Sequence, residues 1–454
     1  MIAPARIVAY ETIVAVAANR ADLPNALARA RSKLSDERDR ALAGEIATGT
    51  LRWQGALDHI IEAFARRPIA RIDFEIVAIL RIGAFQLLHL DRVPASAVVD
   101  DAVQMAKRAG KRSASGLVNA VLRRVSRERD RLPLPAEPPI ELLTTALSHP
   151  RWLAARWLDR YGVDRAKAWA EFNNSPAPIT LRANTLKASR DDLASALRAA
   201  GVESEPTRFA PDGLVVTTGN PLLSPLAHSG TFVVQDEVSQ LVGLYTAASA
   251  DERVFDACAS PGGKTTQMAA AMRDCGVVVA ADVRGRRIDL LRRTVAMSGA
   301  RTIRIVQANA RQPAPFRAIF DLVFVDAPCS GLGTIRRDPD VRWRRTESDL
   351  APLAAAQLEM LEQLASTVRL GGRLVYSTCS SEPEENEAVV AAFLIAHPEF
   401  ACTVPAAFER GTHLRRLLDE TGALRTLPFR DHLEAFYAVS LKKDSRPPAS
   451  AKLR

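Results

Sequence analysis

From about residue 236 onward, short apolar segments rich in β-branched residues alternate with segments of helical periodicity. The strand-like segments are RVFDA, GVVVAADV, TIRIVQAN, IFDLVFVDAP and GRLVYSTC, and the helical segments lie near residues 284–298, 347–369 and 384–397. Such alternation is typical of βαβ units, in which parallel strands form a sheet that helices cover on both faces. The sequence therefore predicts an α/β domain with a mostly parallel sheet over residues 236–443.

The amino-terminal third has apolar residues at three- and four-residue steps, as in Val99, Val103 and Ala106. This spacing predicts an all-α bundle over residues 1–132. The same segment holds 22 Lys and Arg against 15 Asp and Glu, and so most of the chain's net charge of +9. A basic surplus favours a polyanionic partner such as nucleic acid, although an Arg-rich composition is also typical of a GC-rich genome.

Four prolines in the segment RLPLPAEPPIE, residues 131–141, break helices and predict a linker. After it, residues 142–235 mix helical segments with the strand-like runs PITLRAN and GLVVTT, which predicts a small α+β connector. We therefore expect three domains, at residues 1–132, 142–235 and 236–443. No apolar stretch approaches the ~20 residues of a membrane span, and the amino-terminal segment lacks the pattern of a signal peptide, so we expect a cytoplasmic protein.

The segment DACASPGGKTTQ, residues 256–267, joins the first predicted strand of the α/β domain to a helix. Gly262 and Gly263 let the backbone approach a ligand, and the N-terminus of the following helix favours an anionic group. A phosphate-binding loop of the pattern GxxxxGK[ST] is the alternative. The sequence has the GKT at the end of that pattern, but Cys258 stands in place of its first glycine. The loop better suits a cofactor that carries a carboxylate, such as S-adenosylmethionine.

Polar residues follow the next two strands as well. Asp282 lies about 20 residues beyond the glycines, where a carboxylate can accept hydrogen bonds from ribose hydroxyls. Asn309 follows the third strand, where it could bond an adenine edge or simply form a turn. Ligands of open α/β sheets bind beyond the carboxyl ends of the strands, so both residues are cofactor candidates.

Two cysteines stand just past the ends of predicted strands, Cys329 in VDAPCSGLG and Cys379 in YSTCSSEPEEN. Thiols on neighbouring strand ends can face one pocket, whereas a single such cysteine is more often an inert core residue. Pro383 with the following Glu384 and Glu385 has the pattern of a helix start, which favours a structural role for those carboxylates. The five cysteines form no CxxC pair and no metal-ligand spacing with histidine, so we expect no metal and no disulfide framework.

At these residues the chain resembles the Nop/Sun family of RNA cytosine-C5 methyltransferases, and within it the bacterial enzymes that act on 16S ribosomal RNA. DACASPGGKTTQ, VDAPCSGLGTIRRDPDVRW and YSTCSSEPEEN are similar to the family's cofactor loop, Pro-Cys motif and Thr-Cys motif, in the same order. The resemblance extends over nearly the whole chain. It implies an amino-terminal NusB-like RNA-binding bundle and a carboxyl-terminal Rossmann-like methyltransferase domain dependent on S-adenosylmethionine.

The resemblance also implies roles for individual residues. It makes Cys379 the nucleophile, Cys329 the cysteine that assists product release, and Asp326 a group that contacts both base and cofactor. Asn309 stands where the family usually has Asp, and its side-chain oxygen can still accept a hydrogen bond. The cofactor-binding residues that it implies are Cys258, Ala259, Ser260, Pro261, Gly262, Gly263, Lys264, Asp282, Asn309 and Asp326. It further suggests that Arg336, Arg337 and Trp343 help to hold RNA.

A thiol suits the implied reaction, because carbon 5 of cytosine accepts a methyl group only after a nucleophile has added to carbon 6. DNA cytosine methyltransferases use the Pro-Cys cysteine, so a DNA enzyme with Cys329 as nucleophile is one alternative. A non-catalytic RNA-binding factor is another. We expect the RNA cytosine-C5 methyltransferase with Cys379 as nucleophile. We also expect 16S rRNA as its partner and a monomeric chain.

Overall fold

The computed structural model describes residues 2–409 and 412–444. Its described residues fall into two compact units. The first contains the chain up to Pro176 together with Thr334–Glu347, and the second contains Ala177–Gly333 and the chain from Ser348 onward. The helical part of the predicted connector thus groups with the amino-terminal bundle, and the three predicted domain ranges stay a prediction.

The first unit is helical, as the periodicity predicted. The helices of the amino-terminal bundle bury apolar residues; in the last of them, for example, Val118, Val121, Leu122 and Val125 are all buried. Up to residue 176 the α-helices are α1 (Pro4–Ala17), α2 (Leu23–Arg31), α3 (Glu37–Arg52), α4 (Gln54–Ala65), α5 (Phe74–His89), α6 (Ala95–Arg108), α7 (Ser115–Arg127), α8 (Pro139–Glu141) and α9 (Arg151–Asn174).

The proline-rich segment after α7 has no α-helix until Pro139 among its described residues, in agreement with the predicted linker. Leu132 and Leu134 from this segment pack against the helical core. The long helix α9 is kinked at Gly162, whose φ of 74° lies in the left-handed region that glycine adopts readily.

The second unit begins with a small antiparallel sheet of four strands among the described residues, ordered β2-β3-β1-β4. Its one long helix, α10 (Arg190–Ala199), begins with a capping box between Ser189 and Asp192 and covers the apolar face of the sheet. The strands are β1 (Thr180–Ala183), β2 (Glu203–Pro206), β3 (Gly213–Thr218) and β4 (Phe232–Val234).

The larger sheet has eight strands among the described residues, in the order β10-β12-β9-β8-β5-β6-β7, with β11 beside β12. Its strands are β5 (Arg253–Asp256), β6 (Val277–Asp282), β7 (Ile303–Gln307), β8 (Phe320–Asp326), β9 (Val368–Thr378), β10 (Phe400–Thr403), β11 (Leu424–Arg425) and β12 (Tyr437–Lys443). The α-helices around it are α11 (Glu237–Tyr245), α12 (Gly263–Ala271), α13 (Gly285–Ser298), α15 (Leu350–Ala365), α16 (Glu387–Ala396) and α17 (Pro428–Asp431).

Strands β5 to β9 of this sheet are parallel, whereas β12 pairs antiparallel with β9, β10 and β11. The sheet is therefore mixed, with two apolar cores made by its buried residues and the surrounding helices. Because β5, β6, β8 and β9 are parallel, their carboxyl ends meet at one edge, where the predicted site residues lie.

The segment Thr334–Glu347, which follows the Pro-Cys motif, packs within the helical unit and contains α14 (Val341–Arg344). Arg342 is fully buried and donates hydrogen bonds to the Ser148 carbonyl at 2.9 Å and to Asn174 Oδ1 at 3.0 Å. The indole N–H of Trp343 donates to the Leu51 carbonyl at 2.7 Å. The Arg342 guanidinium and the Trp343 indole of this segment thus make hydrogen bonds within the helical unit.

Candidate active site

The two candidate thiols lie side by side. Cys329 follows β8 and Cys379 follows β9, and these strands pair in parallel, with Asp326 opposite Ser377. The distance between the two Sγ atoms is 3.2 Å, within the range of an S–H···S hydrogen bond. The structure thus brings together the two cysteines that the sequence placed at neighbouring strand ends.

Backbone contacts fix the loops that carry these thiols. The N–H of Gly333 donates to the Cys379 carbonyl at 2.9 Å. A Cβ atom at Gly333 would lie 1.8 Å from the Ala435 carbonyl oxygen, so that only glycine permits this close approach. The end of the Pro-Cys motif is therefore attached directly to the residue that carries the second thiol.

The environment of the Cys329 thiol favours its protonated form. The hydrogen bond with Cys379 and burial both raise the pKa of Cys329 well above the usual thiol range. Cys329 consequently keeps its proton at neutral pH and can donate it in the hydrogen bond to Cys379.

A cavity of about 420 Å³ lies beside the glycine loop. Gly262 has a φ of 107°, and a Cβ there would come within 2.9 Å of Leu291 Cδ1, so the turn requires glycine. The cavity also opens on the first turn of α12, which begins at Gly263. Its lining residues are Val233, Val234, Gln235, Asp236, Ser239, Asp256, Cys258, Ala259, Ser260, Pro261, Gly263, Lys264, Thr294, Phe324, Asp326 and Phe436.

Lys264 and Asp326 form an ion pair in the wall of this cavity. Lys264 Nζ lies 2.6 Å from Asp326 Oδ2, and the other carboxylate oxygen accepts a hydrogen bond from Ser377 at 2.9 Å. Burial lowers the pKa of Lys264, but the Asp326 carboxylate has the larger combined effect, and the pKa is raised. Lys264 therefore keeps its charge at neutral pH, and its contact with Asp326 holds both side chains in place.

Cys258 and Ser260 also have defined environments in the loop. Burial raises the pKa of the Cys258 thiol well above its ordinary value, so Cys258 is a neutral lining group. The Ser260 hydroxyl donates to the Arg287 carbonyl at 2.9 Å, and the Arg287 guanidinium donates to the Ser260 carbonyl at 2.6 Å. These bonds attach the loop to α13.

Asp282 and Asn309 lie at the ends of β6 and β7 and are outside the set that lines the cavity. Asp282 is buried and forms an ion pair with Arg287 at 3.0 Å. Asn309 Oδ1 accepts the N–H of Arg311 at 3.1 Å, which is the local turn that we considered as its alternative role.

Asp256 is a candidate that the sequence reasoning missed. It is 1% exposed and lines the cavity, and its Oδ2 accepts the Thr265 hydroxyl at 2.6 Å. Its Oδ1 makes no hydrogen bond of normal geometry with any described residue. Burial raises the pKa of this carboxyl to about 7. Its position as the first residue of the loop motif is the signal that could have identified it.

Arg182 on β1 is a second residue that the sequence reasoning missed. It is 3% exposed and donates to the Gly263 carbonyl, to Gln235 Oε1 and to the Thr266 hydroxyl, the last at 3.0 Å. The small sheet thus holds the first turn of α12. A single arginine within the apolar run PITLRAN was the available signal.

The cavity suits the methionine end of S-adenosylmethionine, which carries both an ammonium and a carboxylate group. A buried acidic side chain with an unused oxygen and the N-terminus of α12 are partners of the required opposite charges. The residues present therefore fit this cofactor. Among residues 2–409 and 412–444, no group of three His, Cys, Asp or Glu is arranged to hold a metal ion.

Comparison with known proteins gives three family matches along the chain. Residues 3–127 match the NusB family, and residues 149–222 match the ferredoxin-like domain of RsmF/B-like methyltransferases. Residues 244–442 match the model described as 16S rRNA methyltransferase RsmB/F. The probable ribosomal RNA small subunit methyltransferase B of Bacillus subtilis (strain 168) is 33% identical over 414 residues, which cover 91% of this chain and 92% of that protein.

The chain belongs to the RsmB/F methyltransferase family. Ribosomal RNA small subunit methyltransferase B of Pseudomonas syringae pv. tomato is 34% identical over 396 residues, or 86% of each chain. The crystal structure of PH0851 matches with a TM-score of 0.81 and 26% identity, covering 98% of this chain and 99% of that one. A methyltransferase homolog from Pyrococcus horikoshii matches with a TM-score of 0.57 and 27% identity, over 67% and 98% of the two chains.

These matches confirm the predicted fold class of this RsmB/F family member. It has an amino-terminal NusB-like helical bundle, a ferredoxin-like middle part, and a Rossmann-like methyltransferase fold whose sheet is mixed. Its cofactor is S-adenosylmethionine. No helix within the described residues is long and apolar enough to span a membrane.

Proposed function

We propose that the protein methylates carbon 5 of a cytosine in RNA, with S-adenosylmethionine as methyl donor and Cys379 as covalent nucleophile. The observation that carries the proposal is the 3.2 Å separation of the Cys329 and Cys379 sulfurs. Both lie at the carboxyl ends of the parallel strands, where the glycine loop also lies. Family membership and the names of its relatives support small-subunit ribosomal RNA as the substrate.

Carbon 5 of cytosine is a poor nucleophile until a group adds to carbon 6. In the proposed reaction the Cys379 thiolate forms a bond to carbon 6, and the electron pair of the ring double bond moves toward carbon 5. S-adenosylmethionine, when bound, supplies the electrophilic methyl group that carbon 5 takes up. Cysteine suits the first step because a thiolate adds readily and also leaves readily.

Release of the product requires the reverse of the addition. The proton on carbon 5 passes to a base, the carbon 6–Sγ bond breaks, and its electron pair returns to Cys379. Cys329 supports this step, because its retained S–H lies next to the departing sulfur and can stabilise the new thiolate by hydrogen bonding. The raised pKa of Cys329 therefore favours Cys379 over Cys329 as the attacking group.

Asp326 is the third proposed catalytic residue. It lies three residues before Cys329, lines the cofactor cavity and is fixed by Lys264 and Ser377. A carboxylate held in this way can accept a hydrogen bond from the base and stabilise charge that develops on the ring. The proposed cofactor contacts remain Cys258, Ala259, Ser260, Pro261, Gly262, Gly263, Lys264, Asp282, Asn309 and Asp326.

The helical unit is proposed to bind RNA. Its basic surplus lies in residues 1–132, where Arg66, Arg67 and Arg108 are exposed. The target cytosine has to be unpaired or turned out of its stack to reach Cys379. The monomeric state and the cytoplasmic location expected from the sequence stay predictions.

Bisulfite sequencing of ribosomal RNA from cells with and without the gene tests the proposal. We expect one or more cytosines of 16S rRNA to be protected only when the gene is present. Transfer of labelled methyl to duplex DNA but not to RNA would favour the DNA enzyme with Cys329 as nucleophile. Absence of methyl transfer to either, despite cofactor binding, would contradict the enzyme assignment.

A further inference from the structure

A buried carboxylate connects the loops that carry the two thiols. Glu385 lies at the end of a short 3₁₀ helix, Pro383–Glu385, and is 0% exposed. Its Oε1 accepts the backbone N–H of Ser330 at 2.8 Å and Gln357 Nε2 at 2.9 Å. Its Oε2 accepts the Ser380 hydroxyl at 2.5 Å. The sequence pattern had favoured a role for Glu385 in starting a helix, but its oxygens are directed to these three donors.

The donors are adjacent to the two thiols in sequence. Ser330 follows Cys329 directly, and Ser380 follows Cys379 directly. The hydroxyls of these two serines are themselves 3.1 Å apart, which closes a ring of hydrogen bonds through Glu385. One carboxylate therefore fixes the residues after both thiols relative to each other.

Gln357 on α15 strengthens the same arrangement from a second side. Its Nε2 also donates to the Pro328 carbonyl at 3.0 Å, so the segment before Cys329 is held as well. Gln357 is completely buried, and its Oε1 accepts the Tyr376 hydroxyl at 3.0 Å. Both sides of Cys329 are thus bound, directly or through Gln357, to Glu385.

We propose that Glu385 is a positioning residue that holds the Cys329 thiol against Cys379 for the methylation reaction. This inference rests on the proposed function. Glu385 touches neither substrate nor cofactor in this role; it acts through the Ser330 and Ser380 contacts. Small displacements of reacting groups are costly, since misplacement by about 1 Å can reduce a rate about a hundredfold.

The charge of Glu385 has a second effect in the same direction. A negative carboxylate close to Cys329 contributes to the raised pKa of that thiol, after the larger effects of Cys379 and burial. The ionisable groups that act on this thiol pair come from three elements: Cys379 and Tyr376 on or after β9, Glu385 itself, and Lys264 on α12, which faces Cys379. Glu385 thus keeps Cys329 protonated as well as in place.

The substitution Glu385→Gln in the full-length protein tests the proposal, because it keeps the shape of the side chain and removes its charge. Glu387→Gln is the matched control, since Glu387 lies two residues further on and pairs with Arg425 away from the thiol loops. Three quantities are compared for each protein: kcat, KM for S-adenosylmethionine, and the pH dependence of Cys329 alkylation by iodoacetamide, resolved by peptide mass spectrometry.

We expect Glu385→Gln to lower kcat about tenfold with KM for the cofactor unchanged. We also expect its Cys329 alkylation to begin at a lower pH than in the wild type, because the substitution removes a negative charge close to that thiol. Glu387→Gln should behave like the wild type in all three. Either a wild-type kcat or an unshifted Cys329 alkylation profile for Glu385→Gln would overturn the proposal.

Should Glu385→Gln not fold, as judged by thermal unfolding and cofactor binding, Ser380→Ala takes its place. This substitution removes the donor to Oε2 and the contact with the Ser330 hydroxyl but leaves Glu385 itself unchanged. A lower kcat for Ser380→Ala with unchanged KM supports the positioning role, and an unchanged kcat overturns it. The alkylation profile does not depend on any methyl transfer. Wild-type protein that transfers no methyl to RNA therefore contradicts the proposed function, whereas an unshifted Cys329 profile contradicts the role of Glu385.

Discussion

The sulfurs of Cys329 and Cys379 lie 3.2 Å apart although the residues are separated by 50 positions in the chain. The pairing of β8 with β9 brings them together, and the bond between Gly333 and the Cys379 carbonyl limits their separation. In the proposed reaction one of these sulfurs attacks the base and the S–H group of the other assists release, and the two substitutions below distinguish these roles.

Replacing Cys379 by Ala should remove both methylation and the covalent RNA adduct, because no nucleophile remains to add to carbon 6. We expect the rate to fall by about a thousandfold or more. Denaturing gels with labelled RNA measure the adduct, and filter binding of labelled methyl measures turnover. An adduct formed by this variant would reverse the assignment of the nucleophile.

Replacing Cys329 by Ala should leave the attack intact and slow release, since the departing Cys379 sulfur loses its hydrogen-bond donor. The protein should then accumulate as a covalent complex with RNA on the same gels. Cys402→Ala is a suitable control, because Cys402 is exposed on β10. A Cys329 variant that turns over normally without adduct would contradict the role in release.

The ion pair between Lys264 and Asp326 should matter for cofactor binding. Lys264→Ala leaves the Asp326 carboxylate, whose side chain is 30% exposed, without its cation in the wall of the cofactor cavity. We expect affinity for S-adenosylmethionine, measured by isothermal titration calorimetry, to fall at least about tenfold. Lys442→Ala breaks an exposed pair with Asp444 and should have no measurable effect. Equal affinities in the two variants would contradict this prediction.

Stability should depend on pH through Asp256. Burial raises its pKa from 3.8 to about 7 in the folded state, so the folded protein binds this proton more tightly than the unfolded chain does. The contribution is complete below the unfolded pKa and is lost as the pH rises through about 7. Relative to Asp256→Asn, the wild type should therefore lose up to about 4 kcal/mol of unfolding free energy between acidic and neutral pH. Parallel pH profiles of urea unfolding for the two proteins would contradict the raised pKa.

Arg342 should be essential to the helical unit. Its removal leaves the Ser148 carbonyl and Asn174 Oδ1 without their buried donor, and we expect Arg342→Ala to lower the unfolding free energy by about 3 kcal/mol. Lys167→Ala on α9 breaks an exposed pair with Glu171 and should cost less than about 1 kcal/mol. Urea unfolding of both variants measures the difference, and similar losses would contradict the assignment.

The sequence predicted those features that local patterns determine. The alternation of strand-like and helical segments predicted strands β5 to β9. The position of Cys329 and Cys379 just after two such strands predicted that the two thiols lie close together. Strands β10 and β12 were missed, because nothing in their local pattern shows that the chain returns to the sheet edge in the antiparallel direction.

Hydrogen bonds between residues far apart in the chain could not be predicted from the spacing of residues in the sequence. Ser330 and Glu385 are 55 residues apart, and Arg182 and Gly263 are 81 apart, so that only the folded chain shows them as partners. For both residues the local sequence pattern suggested something else. Glu385 lies in the pattern of a helix start, and Arg182 is a single charged residue in an apolar strand. Arg336 and Trp343, for which the resemblance suggests RNA contacts, also have partners far away in the sequence. Arg336 lies above the Phe172 ring at 4.4 Å, and the Trp343 indole N–H donates to the Leu51 carbonyl; their role toward RNA stays a prediction.

The placement of Thr334–Glu347 has a consequence for any attempt to divide the protein. A fragment that starts after residue 176 would retain this segment but lose Leu51, Ser148 and Asn174, which receive the hydrogen bonds of Trp343 and Arg342. The Arg342 guanidinium, which is buried in the full-length protein, would then lack its partners immediately downstream of the Pro-Cys loop. We therefore expect a fragment that lacks residues 1–176 to be less soluble than the full-length protein.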